Sequence, residues 1–221
     1  MVRDGIYYAL GMLVVAAVLW WLAPHAFVFL PVFLALFFLW FFRDPERVVP
    51  AEAALVVSPA DGKVTDVSTT YLDGKPCTRI SIFLSVFDVH VNRSPITGVI
   101  KSAVYQRGKF LNAMDATSAD ANEQNIVTVE GDGVTLVFKQ IAGLLARRIV
   151  FNHKPGDVLT RGQRVGLIKF GSRTDVILPQ PSELMVKTGD RVKGGSSVLA
   201  RVLVSTKATP GFVREETGAL R

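Results

Sequence analysis

One cysteine and three histidines are all that 221 residues supply of the two side chains most used to hold transition metals. The lone thiol, Cys77, excludes an intramolecular disulfide framework and suits a reducing compartment. With no His-x-His, no helix-borne histidine pair and no paired cysteines, no metal site is expected. Formal charge is missing from residues 5–42. Acidic side chains are the minority, 19 against 25 Lys and Arg. That surplus is not gathered into a dense basic cluster with interleaved aromatics, so nucleic acid is not expected as a partner. Beyond Pro50 no long segment carries the helical period, which argues against a helical bundle for the rest of the chain.

The apolar excess, 49% of residues with mean hydropathy +0.34, collects where charge is absent. Ala23-Pro24-His25 divides this stretch into 5–22 and 26–42. Each part is slightly shorter than the ~20 residues of a comfortable membrane span. A thin two-helix hairpin and a hairpin dipping into one leaflet both fit. Arg3 before the first run, with Arg43 and Arg47 after the second, puts positive charge at both outer ends. The positive-inside rule then keeps both ends, and everything after them, on the cytoplasmic face of the cell membrane. A cleaved signal peptide fits less well, because a second apolar run follows without a small-residue cleavage site. The net charge of +6 suits a surface of anionic lipid.

After Pro50, residues 55–58, 63–68, 78–86, 99–105, 126–129, 134–140 and 145–151 read as short strands. They are rich in Val, Ile and Phe and bounded by Gly, Pro, Asn or Asp. Residues 109–125 interrupt them as a short helix or a loop beside a site. An internal echo follows. Lys154, Gly156, Asp157, Gly162 and Val165 recur at constant offset as Lys187, Gly189, Asp190, Gly195 and Val198. Paired hairpins of this kind resemble the lipoyl-domain and barrel-sandwich type of β fold. The expected architecture is therefore mainly β, a barrel-sandwich or lipoyl-like domain behind an N-terminal hydrophobic helical hairpin. The expected division is an anchor at 1–42, a catalytic domain at 43–205 and a polar tail at 206–221.

Few residues here can do chemistry. His25 reads as an interfacial turn residue and His153 as an exposed one. His90 lies in Asp88-Val89-His90-Val91-Asn92-Arg93, where alternation puts Asp88, His90 and Asn92 on one strand face. Such a row is costly to bury unpartnered and suits a cavity wall; a solvated edge strand reads the same pattern. Asp61-Gly62 reads as a hairpin turn or as a site carboxylate. Gly171-Ser172 sits between two apolar runs, where the serine hydroxyl can turn back on the preceding carbonyl; an ordinary turn looks alike.

Four motifs in one order settle on a resemblance. Phe41-Phe42-Arg43-Asp44-Pro45-Glu46-Arg47, Ser58-Pro59-Ala60-Asp61-Gly62, Asp88-Val89-His90-Val91-Asn92-Arg93-Ser94-Pro95 and Phe170-Gly171-Ser172-Arg173-Thr174-Asp175 resemble the short bacterial form of phosphatidylserine decarboxylase proenzymes. The likeness runs from about Phe41 through Pro179, and the hairpin ahead of it is in character. It implies that Ser172 attacks the Gly171 carbonyl and shifts the peptide to an ester. Loss of the Ser172 α-proton then eliminates Gly171 as a carboxylate, and the dehydroalanine hydrolyses to a pyruvoyl group and ammonia. A β chain, 1–171, and an α chain, 172–221, result, with further oligomerisation left open. The pyruvoyl group forms a Schiff base with phosphatidylserine in the bilayer, takes up the electrons as carbon dioxide leaves, and releases phosphatidylethanolamine.

The same resemblance makes His90 the proton donor to the carbanion and Asp61 the support of the processing base. Longer members carry a second histidine where this chain has Arg93. Either His90 serves both steps or another base serves the first. Arg93, with Asn92 and Asp88, is the expected substrate-binding group, since guanidinium binds phosphate or carboxylate bidentately. The reading from another class is a membrane-tethered lipoyl-like adaptor, in which Ser172 is inert and the chain stays whole.

Overall fold

The computed structural model describes residues 2–115, 117–131, 133–144, 148–169 and 171–203, so the expected 206–221 tail lies outside the described residues. Helix α1 (Arg3–Leu22) takes up the first charge-free run in 20 residues and is, among the described residues, the one helix long and apolar enough to cross a membrane. Pro24 cannot continue it and leads through a 3-10 turn, His25–Val28, into α2 (Phe29–Phe41). The helices fold back on each other. Val2 N–H donates to the Phe42 carbonyl at 3.1 Å, and a Cβ on Gly5 would lie 2.5 Å from that of Phe42. Their outer rows stay exposed, Trp21 by 85% and Phe29 by 76%. An apolar surface of that extent calls for lipid or a partner to cover it. The hairpin is thus as expected, with a shorter second arm.

The rest is mainly β. In chain order the strands are β1 (Leu55–Val57), β2 (Gly62–Leu72), β3 (Lys75–Leu84), β4 (Val91–Arg93), β5 (Gly98–Gln106), β6 (Gln124–Gly131) and β7 (Val134–Ile141). Then come β8 (Ile149–Phe151), β9 (Val158–Leu159), β10 (Arg164–Ile168), β11 (Ser172–Pro179), β12 (Ser182–Leu184), β13 (Arg191–Val192) and β14 (Val198–Val202). Between β5 and β6 the polar interruption holds one helical turn, α3 (Ser118–Ala121). An antiparallel sheet runs β13-β2-β3-β11-β7-β6-β5-β9, beside two three-stranded sheets, β1-β14-β12 and β4-β10-β8. The large sheet curls at bulges between Val64 and Asp66 and between Ile100 and Ser102. Asp61-Gly62 is not its hairpin turn; that role falls to Asp73-Gly74, where both residues have positive φ, 50° and 74°.

The sequence echo is a structural repeat. Lys154 N–H donates to the Asp157 carboxylate at 3.1 Å, and Lys187 N–H to Asp190 at 2.9 Å. Gly156 and Gly189 donate to the carbonyls of Ile100 and Val64, and Gly162 and Gly195 to those of Ser94 and Ser58, each at 2.8 Å. Those acceptors reveal a second echo that the sequence reading missed. Ser58-Pro59 and Ser94-Pro95 end β1 and β4 alike, each serine hydroxyl donating to the carbonyl two residues on, at 2.6 and 2.7 Å.

Strand β11 runs through the middle, between β3 and β7, and is buried from Ser172 to Leu178. Alternation splits its two faces. Val176 and Leu178 join Val64, Ile80, Ile82, Leu136 and Phe138 in the main core. On the opposite face Arg173 grips Asp175 at 2.6 and 3.0 Å and donates to Ser81 Oγ at 2.7 Å. Paired and hydrogen-bonded, these charges are tolerable in the interior. Ser172 and Thr174 therefore share the core face, at its polar end.

Candidate active site

Gly171 has φ +33°, a backbone turn that glycine makes most readily, and it delivers the chain into β11 at Ser172. Phe170 lies outside the described residues. Ser172 pairs with Leu84 of β3 and is fully buried, and among the described residues its hydroxyl has no hydrogen-bond partner. Thr174 Oγ1 is also buried and unpartnered. Orphaned polar atoms in an interior cost about 1–3 kcal/mol each, so two on one strand face mark a site rather than a core.

The Gly171 carbonyl, the one the serine must attack, meets a neighbour that sequence reasoning did not single out. Arg173 pairs with Ile141, and continuing that register past β7 brings Gly143 opposite Gly171. A Cβ on Gly143 would stand 2.1 Å from the Gly171 oxygen and 3.2 Å from Ala113 Cβ. Only glycine permits this approach. Nothing in Ala142-Gly143-Leu144 announces it, since a glycine at a strand end is ordinary.

His90 precedes β4 and does not lie within a strand; β4 covers only Val91–Arg93. The single polar strand face expected for Asp88, His90 and Asn92 is thus not formed, because Asp88 is consumed by a turn. Its carboxylate accepts Ser85 N–H at 2.8 Å and Ser85 Oγ–H at 2.7 Å, and also pairs with Arg191 at 2.9 Å. His90 is only 2% exposed and packs its ring on Phe41 at 4.3 Å between centroids; among the described residues neither ring nitrogen makes a hydrogen bond of good geometry, the Asp88 backbone being its polar neighbour. Burial pushes its pKa down to about 4, with the Asp88 backbone and charge offsetting part of the shift. The imidazole is neutral at physiological pH. Its carbonyl accepts Ile168 N–H at 3.3 Å, fastening it to the strand that leads to Gly171.

Asp61 is half-buried and fully engaged elsewhere, by Arg47 at 2.6 Å and by Gly194 N–H at 2.8 Å. No hydrogen bond joins it to His90 or Ser172, so in the intact polypeptide Asp61 does not directly support His90 as a processing base. Arg93 is also spent. It is 5% exposed and donates to Asp44 at 2.9 Å, to the Pro45 carbonyl and to the Gly162 carbonyl, both at 3.1 Å. Arg164 completes this knot by pairing with Asp44 at 2.5 Å and Glu46 at 2.9 Å. Together these pairs bind the segment after α2 onto the β domain.

Asn92 belongs to an amide relay that no sequence signal disclosed. Asn125 Nδ2 donates to Gln140 Oε1 at 3.0 Å, and Gln140 Nε2 donates to Asn92 Oδ1 at 2.9 Å. The relay leaves Asn92 Nδ2 as a buried donor without an acceptor. Gln140 stands directly across from Thr174. The head of β11 thus carries the unpartnered Ser172 and Thr174 hydroxyls, with the Asn92 amide joined to it through Gln140, His90 fastened by its carbonyl to the preceding strand, and the Gly171 carbonyl lying close against Gly143.

Comparison with known proteins agrees with that chemistry. The family model described as phosphatidylserine decarboxylase matches residues 34–200. A phosphatidylserine decarboxylase proenzyme of Solibacter usitatus is 53% identical over 205 residues, 91% of this chain and 97% of its own. That of Carboxydothermus hydrogenoformans is 44% identical over 211 residues, covering 91% and 96%. That of Symbiobacterium thermophilum is 52% identical over 173 residues, covering 76% and 80%.

Proposed function

Because the chain belongs to the phosphatidylserine decarboxylase family, whose members are made as proenzymes, we propose that it cuts itself between Gly171 and Ser172. The protein is a carboxy-lyase acting on phosphatidylserine, and its cofactor is a pyruvoyl group made from a serine of its own chain. The observation that carries the choice of serine is a buried, unpartnered Ser172 hydroxyl following a carbonyl that Gly143 alone can accommodate. The residues around Ser172 fit a neutral ketone. The strand head is buried, Leu84 flanks it, and the neighbouring Arg173 is already paired with Asp175 on the other face. Once formed, the group supplies an electron sink for the bond that releases carbon dioxide.

This chain's own residues do the rest. Thr174 Oγ1 and Asn92 Nδ2 are the buried hydrogen-bonding groups available to the headgroup, and the Gln140 relay orients Asn92. His90 is the proton carrier. Asp61 contributes by holding Arg47 and Gly194, which fixes the segment after α2 onto the β domain. Arg93 has the same duty through Asp44, and its bound guanidinium is not free for a lipid phosphate. We read residues 1–42 as the anchor and 43–205 as the catalytic domain, and the paired, echoed units as a barrel-sandwich, lipoyl-like scaffold. Arg3, Arg43 and Arg47 at the hairpin's outer ends support a cytoplasmic placement on the cell membrane. A substrate that rarely leaves the bilayer then meets a site held against it.

Replacing the nucleophile tests the assignment. Ser172→Ala is expected to run as one band on denaturing gels and to release no carbon dioxide, while the unaltered chain runs as two. Splitting that persists in Ser172→Ala would assign the cut to another residue.

A further inference from the structure

The turn from Ser85 to Asp88 is fastened at every point except its tip. Asp88 closes it through Ser85 N–H and Oγ, and Asp88 N–H donates to the Ser85 carbonyl at 3.0 Å. Val86 packs inward on Phe41, Phe42 and Leu167. Phe87, by contrast, is 75% exposed. A rigid turn that holds a phenylalanine in water forgoes most of the gain that burying its ring would bring. The turn does not stand alone. Phe87 meets Trp40 of α2 edge-on at 6.1 Å, and its carbonyl accepts Arg43 Nη2–H at 2.6 Å. Arg43 lies over the Trp40 ring at 4.4 Å and donates to the Trp40 carbonyl at 3.1 Å.

Tryptophan followed by arginine at the end of an apolar helix is the pattern of a headgroup boundary, with the ring at the interface and the cation toward phosphate. We propose that the 85–88 turn is a second membrane contact. Phe87 enters the bilayer interface beside Trp40, and Arg43 ties the two at the level of the lipid phosphates. The occupant is lipid rather than a second copy of the chain, because Phe87 abuts Trp40 at the end of an exposed apolar hairpin whose first helix is long enough to cross a membrane. His90 follows the turn closely, so the depth of Phe87 sets the depth of the site beneath the headgroups. This rests on the reading that the hairpin inserts.

The test uses the full chain carrying Cys77→Ala, with one cysteine introduced and labelled with an environment-sensitive fluorophore. Labels go at Phe87→Cys, at Val18→Cys on α1, and at Tyr71→Cys near the far end of the β2–β3 hairpin. Ten residues of β3 separate that end from the site, about 30 Å at the usual rise per residue. The protein is reconstituted into phosphatidylcholine–phosphatidylglycerol vesicles and quenched by aqueous iodide or by lipids spin-labelled high on the acyl chain. The Phe87 label is expected to be several-fold less open to iodide than the Tyr71 label, and to be quenched by the shallow spin-labelled lipid. Iodide access equal to that at Tyr71, with Val18 still quenched by lipid, would overturn the proposal and spare the anchor. Protection from iodide without quenching by lipid would also overturn it, in favour of a covering protein. An iodide-accessible Val18 would take down the membrane reading itself.

Discussion

Gly143→Ala is expected to slow self-cleavage so far that freshly made chain is mostly uncut. Its new methyl would fall 2.1 Å from the Gly171 oxygen, far inside contact distance, with Ala113 closing the space on another side at 3.2 Å. Either the end of β7 or the carbonyl must move. The carbonyl is the freer of the two, because Gly171 makes the turn into β11 whereas Gly143 follows Ala142, whose N–H donates to the Glu123 carbonyl at 2.9 Å and whose carbonyl accepts Asn122 Nδ2–H at 2.8 Å. An ångström of misplacement at a reacting centre costs about 100-fold, so self-cleavage should slow by roughly that factor while the melting temperature shifts modestly. Hydroxylamine tells positioning from collapse. It cleaves an ester between Gly171 and Ser172 but spares the peptide. If the carbonyl is displaced from the hydroxyl, no ester forms and hydroxylamine adds no cleavage. Cleavage at the unaltered rate, or a hydroxylamine-labile chain, would show that Gly143 does not position the carbonyl.

His90→Ala is expected to split normally yet release carbon dioxide about 100- to 10,000-fold more slowly, the range by which a positioned proton carrier accelerates a step. The intact chain gives this expectation its form. His90 touches neither Asp61 nor the Ser172 hydroxyl through a hydrogen bond, and its proton is lost above about pH 4. It becomes useful only after the cut reshapes the head of β11. A His90→Ala chain that failed to split would instead make it the base for self-cleavage. The depressed pKa also has a signature in stability, best read in the uncut Ser172→Ala chain. The unfolded histidine takes up its proton near pH 6.5, whereas the folded one refuses it until about pH 4. Stability should be unaffected by this group above pH 6.5, fall as pH drops from 6.5 toward 4, and level off below. The full loss is roughly 3 kcal/mol. Adding His90→Gln should flatten that slope; an unchanged slope would place a protonated imidazole in the fold.

Much of this architecture can be read from the residues because it follows from local period and turn chemistry. Alternating apolar residues marked β2, β3, β5, β6 and β7 to within a few positions. A charge-free run marked the hairpin, and the Lys-Gly-Asp echo marked two superposable turns. Site residues were legible only as residue types. Asp88 looked like a cavity group, but Ser85 lay close enough to claim its carboxylate for a turn. Arg93 looked free to bind lipid, yet Asp44, far away in sequence, had already neutralised it. Gly143, Gln140 and Asn125 gave no sign at all. Their importance comes from register across β7 and β11, and no periodicity in one strand reports which residue stands opposite it in another. The Ser-Pro pair at 94–95 was visible but unmatched to 58–59, since its equivalence lies in hydrogen bonds to the two glycine turns rather than in spacing.

Intact-mass spectrometry of the freshly purified, unaltered protein reaches the centre of the matter. Two polypeptides should appear, ending at Gly171 and beginning at residue 172. The smaller should weigh less than a serine-headed fragment by one ammonia, and borohydride should reduce its ketone. A single unbroken chain, or a fragment that starts with an ordinary serine amine, would contradict a cofactor carved from Ser172.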